Sequence, residues 1–291
     1  MVSSLIVEQE MTLLEALQLI HTGSSNRTLR HMLTQGRVTI DGVGEKRAKA
    51  TAPFGSKIEV HPKPVSNAEN IRGVIHEDDD IIVISKPAGL LTVATDKMES
   101  DTLHSRIQNY LRQNGADEWG FIVHRLDKET SGIIVFAKTE SAKELLQRQF
   151  SERKVKRYYT AIVEGEPEEE GTAISWLIED RNLRVWVVDE QTTGSREAIT
   201  HWSVLEKNGI TSKIELEIET GRRHQIRVQM AEIGHPVVGD MRHGSKIQAN
   251  RLLLHATTLR FTHPDGNPLT FHSTLPHEFE KQHFLITEDM D

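Results

Sequence analysis

Apolar residues near the start of the chain fall at helical spacing. Leu13, Leu14, Leu17 and Ile20 follow Thr12, a residue able to cap a helix, and predict a helix over 12–22. Gly23-Ser24-Ser25-Asn26 breaks that pattern. Leu29, Met32 and Leu33 predict a second helix from Arg27 to Thr34, stopped by Gly36. The period then drops to two. Val38-Thr39-Ile40-Asp41-Gly42 and Lys57-Ile58-Glu59-Val60 predict short strands. His61-Pro62-Lys63-Pro64-Val65-Ser66-Asn67 has the composition of an extended, semi-rigid linker.

Beyond it the pattern predicts strands at 81–84, 132–138, 157–164, 184–188, 213–219 and 253–262, and helices at 101–114, 140–152, 223–233 and 276–286. Strands and helices do not alternate regularly. That argues against a doubly wound parallel sheet and for an α+β fold, with a mixed, mainly antiparallel sheet and peripheral helices. The predicted organisation is a small domain over 1–64, a linker over 65–70 and a large domain over 71–291. No internal repeat is visible.

Composition narrows the class. A hydrophobic fraction of 37% supports packed cores and excludes global disorder. Cys is absent, which removes disulfides and thiolate metal sites and fits a reducing cytoplasm. The first residues, Met1-Val2-Ser3-Ser4-Leu5, lack the charged and apolar regions of a signal peptide. The aliphatic runs are of strand length, short of the ~20 residues of a membrane helix. A cytoplasmic protein with no membrane partner is expected, as a monomer. Fifteen His residues occur without H-E-x-x-H or a familiar ligand spacing, so no metal is expected.

The net charge of −8 opposes attraction to nucleic acid at long range. Its distribution changes the picture. Residues 24–63 hold eight basic against three acidic residues, a local balance of +5. The acid is concentrated elsewhere, at Glu77-Asp78-Asp79-Asp80 and between Glu164 and Glu170, and reads as solvated turns. Arg27 and Arg30 lie about one turn apart on the second helix and would share an exposed face able to contact RNA.

The candidate chemistry centres on Val123-His124-Arg125-Leu126-Asp127-Lys128-Glu129-Thr130-Ser131-Gly132, which runs straight into Ile133-Ile134-Val135-Phe136. This places Asp127 on a rigid loop ahead of a core strand. Alone, an Asp in a polar turn is ordinarily a cap or turn former. Tyr159 lies in a predicted strand, with Tyr158 directed to the opposite face. Arg227 lies beside an apolar stripe of Ile226, Met230 and Ile233 at i, i+4 and i+7 of a predicted helix.

Five ordered segments resemble those of RluA-type RNA pseudouridine synthases. They are Ile84-Ser85-Lys86-Pro87-Ala88-Gly89-Leu90, the Asp127 segment, Tyr159-Thr160-Ala161-Ile162-Val163-Glu164-Gly165, Glu219 through Asp240, and Leu254-His255-Ala256 running to His263-Pro264. His124 before Arg125 favours this type over the sister family acting on small-subunit rRNA. Residues 11–61, with Ser25-x-Arg27 opening the second helix and Gly36-x-Val38 closing it, resemble an S4 RNA-binding module. Two departures stand out. Gly55-Ser56 replaces the module's usual Gly-Asp, and Gln229 stands where a His often follows Ile-Arg-Val.

The resemblance implies an isomerase that converts uridine to pseudouridine in structured RNA, large-subunit rRNA rather than tRNA, without a cofactor. It implies that Asp127 is the catalytic carboxylate, paired with Arg227, and that Tyr159 stacks on the uracil and helps move the C5 proton. Arg125 would enter the RNA helix in place of the extruded base. His124, Arg222, Arg27 and Arg30 are further candidates for RNA contact, and Lys86 reads as either structural or phosphate-facing. Chemically, the positive charge developing at C1′ needs an anion, and a guanidinium beside a buried carboxylate lowers its pKa by ~1–3 units. Two other readings are a non-catalytic RNA-binding or ribosome-assembly protein on the same scaffold, and a nucleoside or glycoside hydrolase. The latter normally requires a second working carboxylate.

Overall fold

The protein is described from a computed structural model covering residues 3–21, 26–34, 36–61, 71–95, 98–113, 119–188 and 190–280. The chain divides into two units, Met1–Ala68 and Glu69–Asp291. The linker expected at 65–70 and most of the helix expected at 276–286 lie outside the described residues.

In the first unit the elements are β1 (Ser3–Ile6), β2 (Met11–Thr12), α1 (Leu13–Ile20), α2 (Asn26–Thr34), β3 (Val38–Ile40), β4 (Val43–Gly44), β5 (Thr51–Ala52) and β6 (Lys57–Val60). Thr12 caps α1 as its sequence predicts. Its hydroxyl accepts from the Glu15 N–H at 3.3 Å, and the Glu15 carboxylate accepts from the Thr12 N–H at 2.7 Å. Such a reciprocal cap contributes about 1 kcal/mol. Four strands pair antiparallel in the order β1-β6-β3-β4. The inward faces of both helices, Leu13, Leu17, Leu29 and Leu33, join Val38 and Ile58 in one core. The hydrophobic pattern does not reveal β1: its four residues alternate too briefly, and pairing with β6 holds them.

The second unit contains β7 (Val74–Glu77), β8 (Ile81–Lys86), α3 (Leu103–Gln113), β9 (Phe121–Ile122), β10 (Ser131–Ala137), α4 (Glu140–Ser151), β11 (Lys156–Glu164), β12 (Glu170–Glu179), β13 (Val185–Val188), β14 (Arg196–Lys207), β15 (Thr211–Ile218), α5 (Gln225–Glu232), β16 (Leu254–Thr262) and β17 (Pro268–His272). They build one sheet of 11 strands in the order β13-β12-β14-β15-β11-β16-β10-β8-β7, with β17 on β16 and β9 on β10. Every pairing is antiparallel except that of β10 with β16. The expected mixed, mainly antiparallel sheet with peripheral helices is therefore observed. Among the described residues, no helix is long and apolar enough to cross a membrane.

The parallel β10–β16 pair explains Gly132. There φ is +114°, and a Cβ would lie 2.2 Å from the Ala256 carbonyl oxygen. Only glycine permits both that backbone angle and that approach. The two strands thus close tightly just after the Asp127 loop. On the other side of β16, a register shift between Tyr158 and Tyr159 in the β11 pairing marks a local bulge.

Candidate active site

A cavity of about 380 Å³ opens where the 123–130 loop, β11 and the N-terminal end of α5 meet. Asp127, Tyr159, His124, Arg125, Arg222 and Arg227 all line it, so the structure brings together six of the residues singled out in the sequence. The loop carrying Asp127 is pinned at several points. Thr92 Oγ1 donates to the Leu126 carbonyl at 2.8 Å, and the Gly89 N–H donates to the Lys128 carbonyl at 2.9 Å. The Lys86 ammonium, fully buried, donates to the carbonyls of Pro87, Leu90 and Lys128 at 3.0, 2.8 and 3.1 Å. Its three donors are therefore consumed by backbone. Of its two readings, the structural one holds and the phosphate-facing one is corrected. Burial brings the Lys86 pKa down to about 7, against the opposing pull of Asp127 and Glu129.

His124 also lines the cavity. Its Nε2 accepts from the Val135 N–H at 3.1 Å, and its ring stacks on Phe150 with centroids 4.7 Å apart. Burial, reinforced by Arg157, pushes its pKa down to about 3. It is a neutral ring that braces the loop against the strand. Arg30 is exposed on α2, while the side chain of Arg27 lies outside the described residues.

α5 departs from the amphipathic reading. Residues 225–230 are all buried, while Ile233, expected in the apolar stripe, is 38% exposed just beyond the helix end. The helix tolerates this because its polar side chains are satisfied. Gln229 accepts from Thr200 Oγ1 at 2.7 Å and donates to the carbonyls of Ala173 and Ala198. It therefore ties α5 to β12 and β14. Gln225 bridges Thr220, Arg222 and Ile199 around the turn before the helix.

Arg227 projects from this helix between two carboxylates. Its Nε and Nη2 donate to Asp240 at 2.6 and 2.7 Å, a bidentate pair, while Nη1 lies 3.7 Å from Asp127 Oδ2. The predicted Arg227–Asp127 contact exists, but the stronger partner is Asp240, to which the sequence pattern assigns no role. Burial opposes the charge on Arg227; Asp240, aided by Asp127 and Glu129, outweighs it, and the pKa rises. Asp240 is itself held from behind. Its carbonyl accepts from the N–H groups of His243 and Ser245, and Glu164 Oε1 accepts from Ser245, Lys246 and Ile247 at 2.7, 2.6 and 2.8 Å. Gly239 precedes it at φ +82°, where a Cβ would meet the Arg251 carbonyl oxygen at 2.4 Å. Glu164, expected as part of a solvated turn, is thus a support of the site.

The Asp127 side chain is 18% exposed. Burial pushes its pKa up, and the charges of Arg227, Arg125, Arg223 and Lys86 offset this only in part. A neighbouring guanidinium alone would lower it; here desolvation wins because the nearest guanidinium is shared with Asp240. His224, which the sequence pattern does not single out, caps α5 in a left-handed conformation at φ 52°. Its Nε2 lies 3.9 Å from Asp127 Oδ2, and its Nδ1 lies 3.0 Å from His243 Nε2. Burial and Arg227 press its pKa down to about 2, so it faces Asp127 as a neutral ring.

Tyr159 is buried in the wall, and burial raises its phenol pKa, with Arg157 lowering and Asp127 raising it. Tyr158 faces the other side of the sheet, under Arg260 at 5.3 Å, as the strand alternation requires. Among the described residues, no group of three or more His, Cys, Asp or Glu is placed to hold a metal ion. The arrangement offers the Asp127 carboxylate, an aromatic face and a set of guanidinium groups, suited to a planar base on a phosphate backbone.

Comparison with known proteins agrees with this chemistry. The family model described as RNA pseudouridylate synthase matches residues 80–232. An RNA pseudouridine synthase of Synechocystis sp. is 39% identical over 227 residues, 74% of this chain and 69% of that one. The ribosomal large subunit pseudouridine synthase D of Xanthomonas campestris is 34% identical over 289 residues, 91% of this chain and 86% of that one. In fold, the chain resembles human RNA Pseudouridylate Synthase Domain Containing 4, with a TM-score of 0.62 at 23% identity, covering 75% of this chain and 93% of that one.

Proposed function

The chain belongs to the RNA pseudouridylate synthase family, and from that premise we propose that it isomerises specific uridines of large-subunit rRNA, with Asp127 as the catalytic carboxylate. The observation that carries the reading is the pairing at Arg227. Asp240 fixes the guanidinium, and Asp127 faces it at 3.7 Å with its carboxylate open to the cavity. The reaction breaks the N1–C1′ bond, turns the base and joins C5 to C1′; the C5 proton leaves and N1 gains one. No electrons are transferred overall. Asp127 supplies the anion that the developing charge at C1′ requires, either by attacking C1′ or by removing the C2′ proton. Tyr159 supplies the stacking face and a hydroxyl for the C5 proton, and stacking of this kind holds a base by ~1–3 kcal/mol. Arg125, exposed on the same loop, is placed to occupy the gap left by an extruded base.

The ribosomal target rests on relatives such as that of Xanthomonas campestris, named for the large subunit, and on the N-terminal unit. We read that unit as an S4-like RNA-binding module, from its two helices followed by a small sheet and from its basic balance. A hydrolase would need a second working carboxylate. Asp240 is near, but it is buried and both of its oxygens are taken by Arg227. Incubating the protein with a large-subunit rRNA transcript and separating the nucleosides tests the reading. Pseudouridine without free uracil is expected; free uracil, or unchanged uridine, would contradict it.

A further inference from the structure

Arg157 has no place in the reaction as described, and its environment is unusual. The side chain is only 8% exposed and lines the cavity two residues before Tyr159 on β11. Its Nη2 donates to the Glu219 carbonyl at 2.9 Å, and its Nε is buried with no hydrogen-bond partner. One face of the guanidinium lies over the Phe150 ring, 5.5 Å from the centroid. On another side it meets Gly221, where a Cβ would fall 2.6 Å from Nη1. Gly221 has no left-handed backbone angle. Its lack of a side chain makes room for Arg157.

No carboxylate among the described residues forms an ion pair with this guanidinium. Two acidic side chains in the neighbourhood are committed elsewhere. Glu197 binds Arg153 at 2.7 Å, and Glu219 binds His201 at 2.9 Å. The neighbouring charge is instead more positive. Arg222 lines the same wall and donates through Nε to the Glu197 carbonyl at 2.9 Å, likewise without an ion-paired carboxylate among the described residues. Burying a charge without a counterion is costly, and a cation–π contact offsets only part of that cost. An arginine cannot escape by losing its proton. A buried guanidinium of this kind, with the half-buried Arg222 beside it on the same wall, suits an anion that arrives with the ligand.

We propose that Arg157 and Arg222 form a subsite for one phosphodiester of the RNA, adjoining the nucleotide held by Asp127 and Tyr159. This rests on the RNA-isomerase reading above. The subsite fixes the backbone while the base turns, so the sugar stays in register with Asp127. A phosphodiester fits the donor set: guanidinium groups bind two phosphate oxygens at once, and Phe150 and Gly221 hold the Arg157 plane in one orientation.

The test uses the full chain and a large-subunit rRNA transcript, with Arg157→Gln, Arg157→Lys and Arg222→Gln variants. RNA affinity is measured across salt concentrations, alongside pseudouridine formation and thermal melting with inorganic phosphate at constant ionic strength. Each Gln variant should weaken binding by about tenfold. Each should also flatten the slope of log affinity against log salt by roughly 0.7–0.9. Arg157→Lys should keep the slope, because it keeps the charge. Unchanged affinity and slope in a wild-type-like, active Arg222→Gln protein would overturn the subsite alone, and would do so even if Arg157→Gln failed to fold. Stabilisation of the wild type by inorganic phosphate with no change in RNA slope would mark a free-anion site and overturn it too. A wild type that binds the transcript but forms no pseudouridine would instead defeat the reading on which the subsite rests.

Discussion

Asp127 and Arg227 show how a buried pair is set by what stands behind it. A guanidinium held on Asp240 by two short hydrogen bonds is not free to close on Asp127, so burial keeps the Asp127 pKa above the usual carboxylate value. Activity needs the ionised form and should fall as pH drops through that raised value. Replacing Arg227 with Met removes the foremost lowering charge while burial remains. The acid limb of the rate profile should then move to higher pH, with a fall in kcat; an unmoved limb would remove Arg227 from the site. Tyr159→Phe keeps the stacking face and loses the hydroxyl. If that hydroxyl handles the C5 proton, kcat should fall ~10²–10⁴-fold with RNA affinity intact, whereas Tyr159→Leu should lose both. A Phe variant within a few-fold of wild type would leave stacking alone. At this scale the sequence reveals Asp127, Tyr159 and Arg227 because their neighbours form recognisable runs. Asp240 closes the same run as Arg227, yet nothing in its neighbours marks it. The signal that finds it is physical: an arginine on a buried helix face requires a fixed counterion. Lys86 misleads because a basic residue near the Asp127 loop looks the same in sequence whether it faces solvent or braces backbone.

At the scale of elements, legibility follows burial. β8 and β10 are predicted because both of their faces are buried, which writes continuous apolar runs into them. β12 and β14 escape prediction, although they are the longest strands of the sheet, because much of their surface stays exposed and polar. Cross-strand partners hold them, such as Thr172 with His201 at 2.8 Å. α5 fails in the opposite sense, since its buried positions include glutamines and an arginine that only a folded partner surface satisfies. The parallel closure of β10 on β16 leaves one trace in sequence, Gly132. Gly132→Ala must push Cβ into the Ala256 backbone from a strained φ. We expect a loss of about 3 kcal/mol, seen as a melting temperature lower by on the order of 10 °C. Activity should fall further than stability alone explains, because Asp127 hangs from that strand. A protein melting as wild type would show that the β10–β16 approach is looser than described.

For the whole molecule, a net charge of −8 coexists with an N-terminal segment that is positive and a cavity rich in arginine. The two units each have their own core, as composition and the proline-containing linker segment lead one to expect. A chain of residues 69–291 should therefore fold, as judged by a cooperative melt. It should bind rRNA more weakly and with a shallower salt dependence, by roughly 0.7–0.9 for each phosphate no longer neutralised. Equal affinity and slope would mean that the first unit binds something other than RNA.

The most direct test of the account is Asp127→Asn. The amide keeps the shape of the side chain and removes the anion. Because burial raises the Asp127 pKa, its ionisation opposes folding above the ordinary carboxylate range, and the Asn protein should melt no lower than wild type at pH 7. It should bind the large-subunit transcript as wild type does and form no pseudouridine in a nucleoside digest. An Asn variant that is folded and binds RNA but still produces pseudouridine near the wild-type rate would contradict the assignment of the reaction to Asp127.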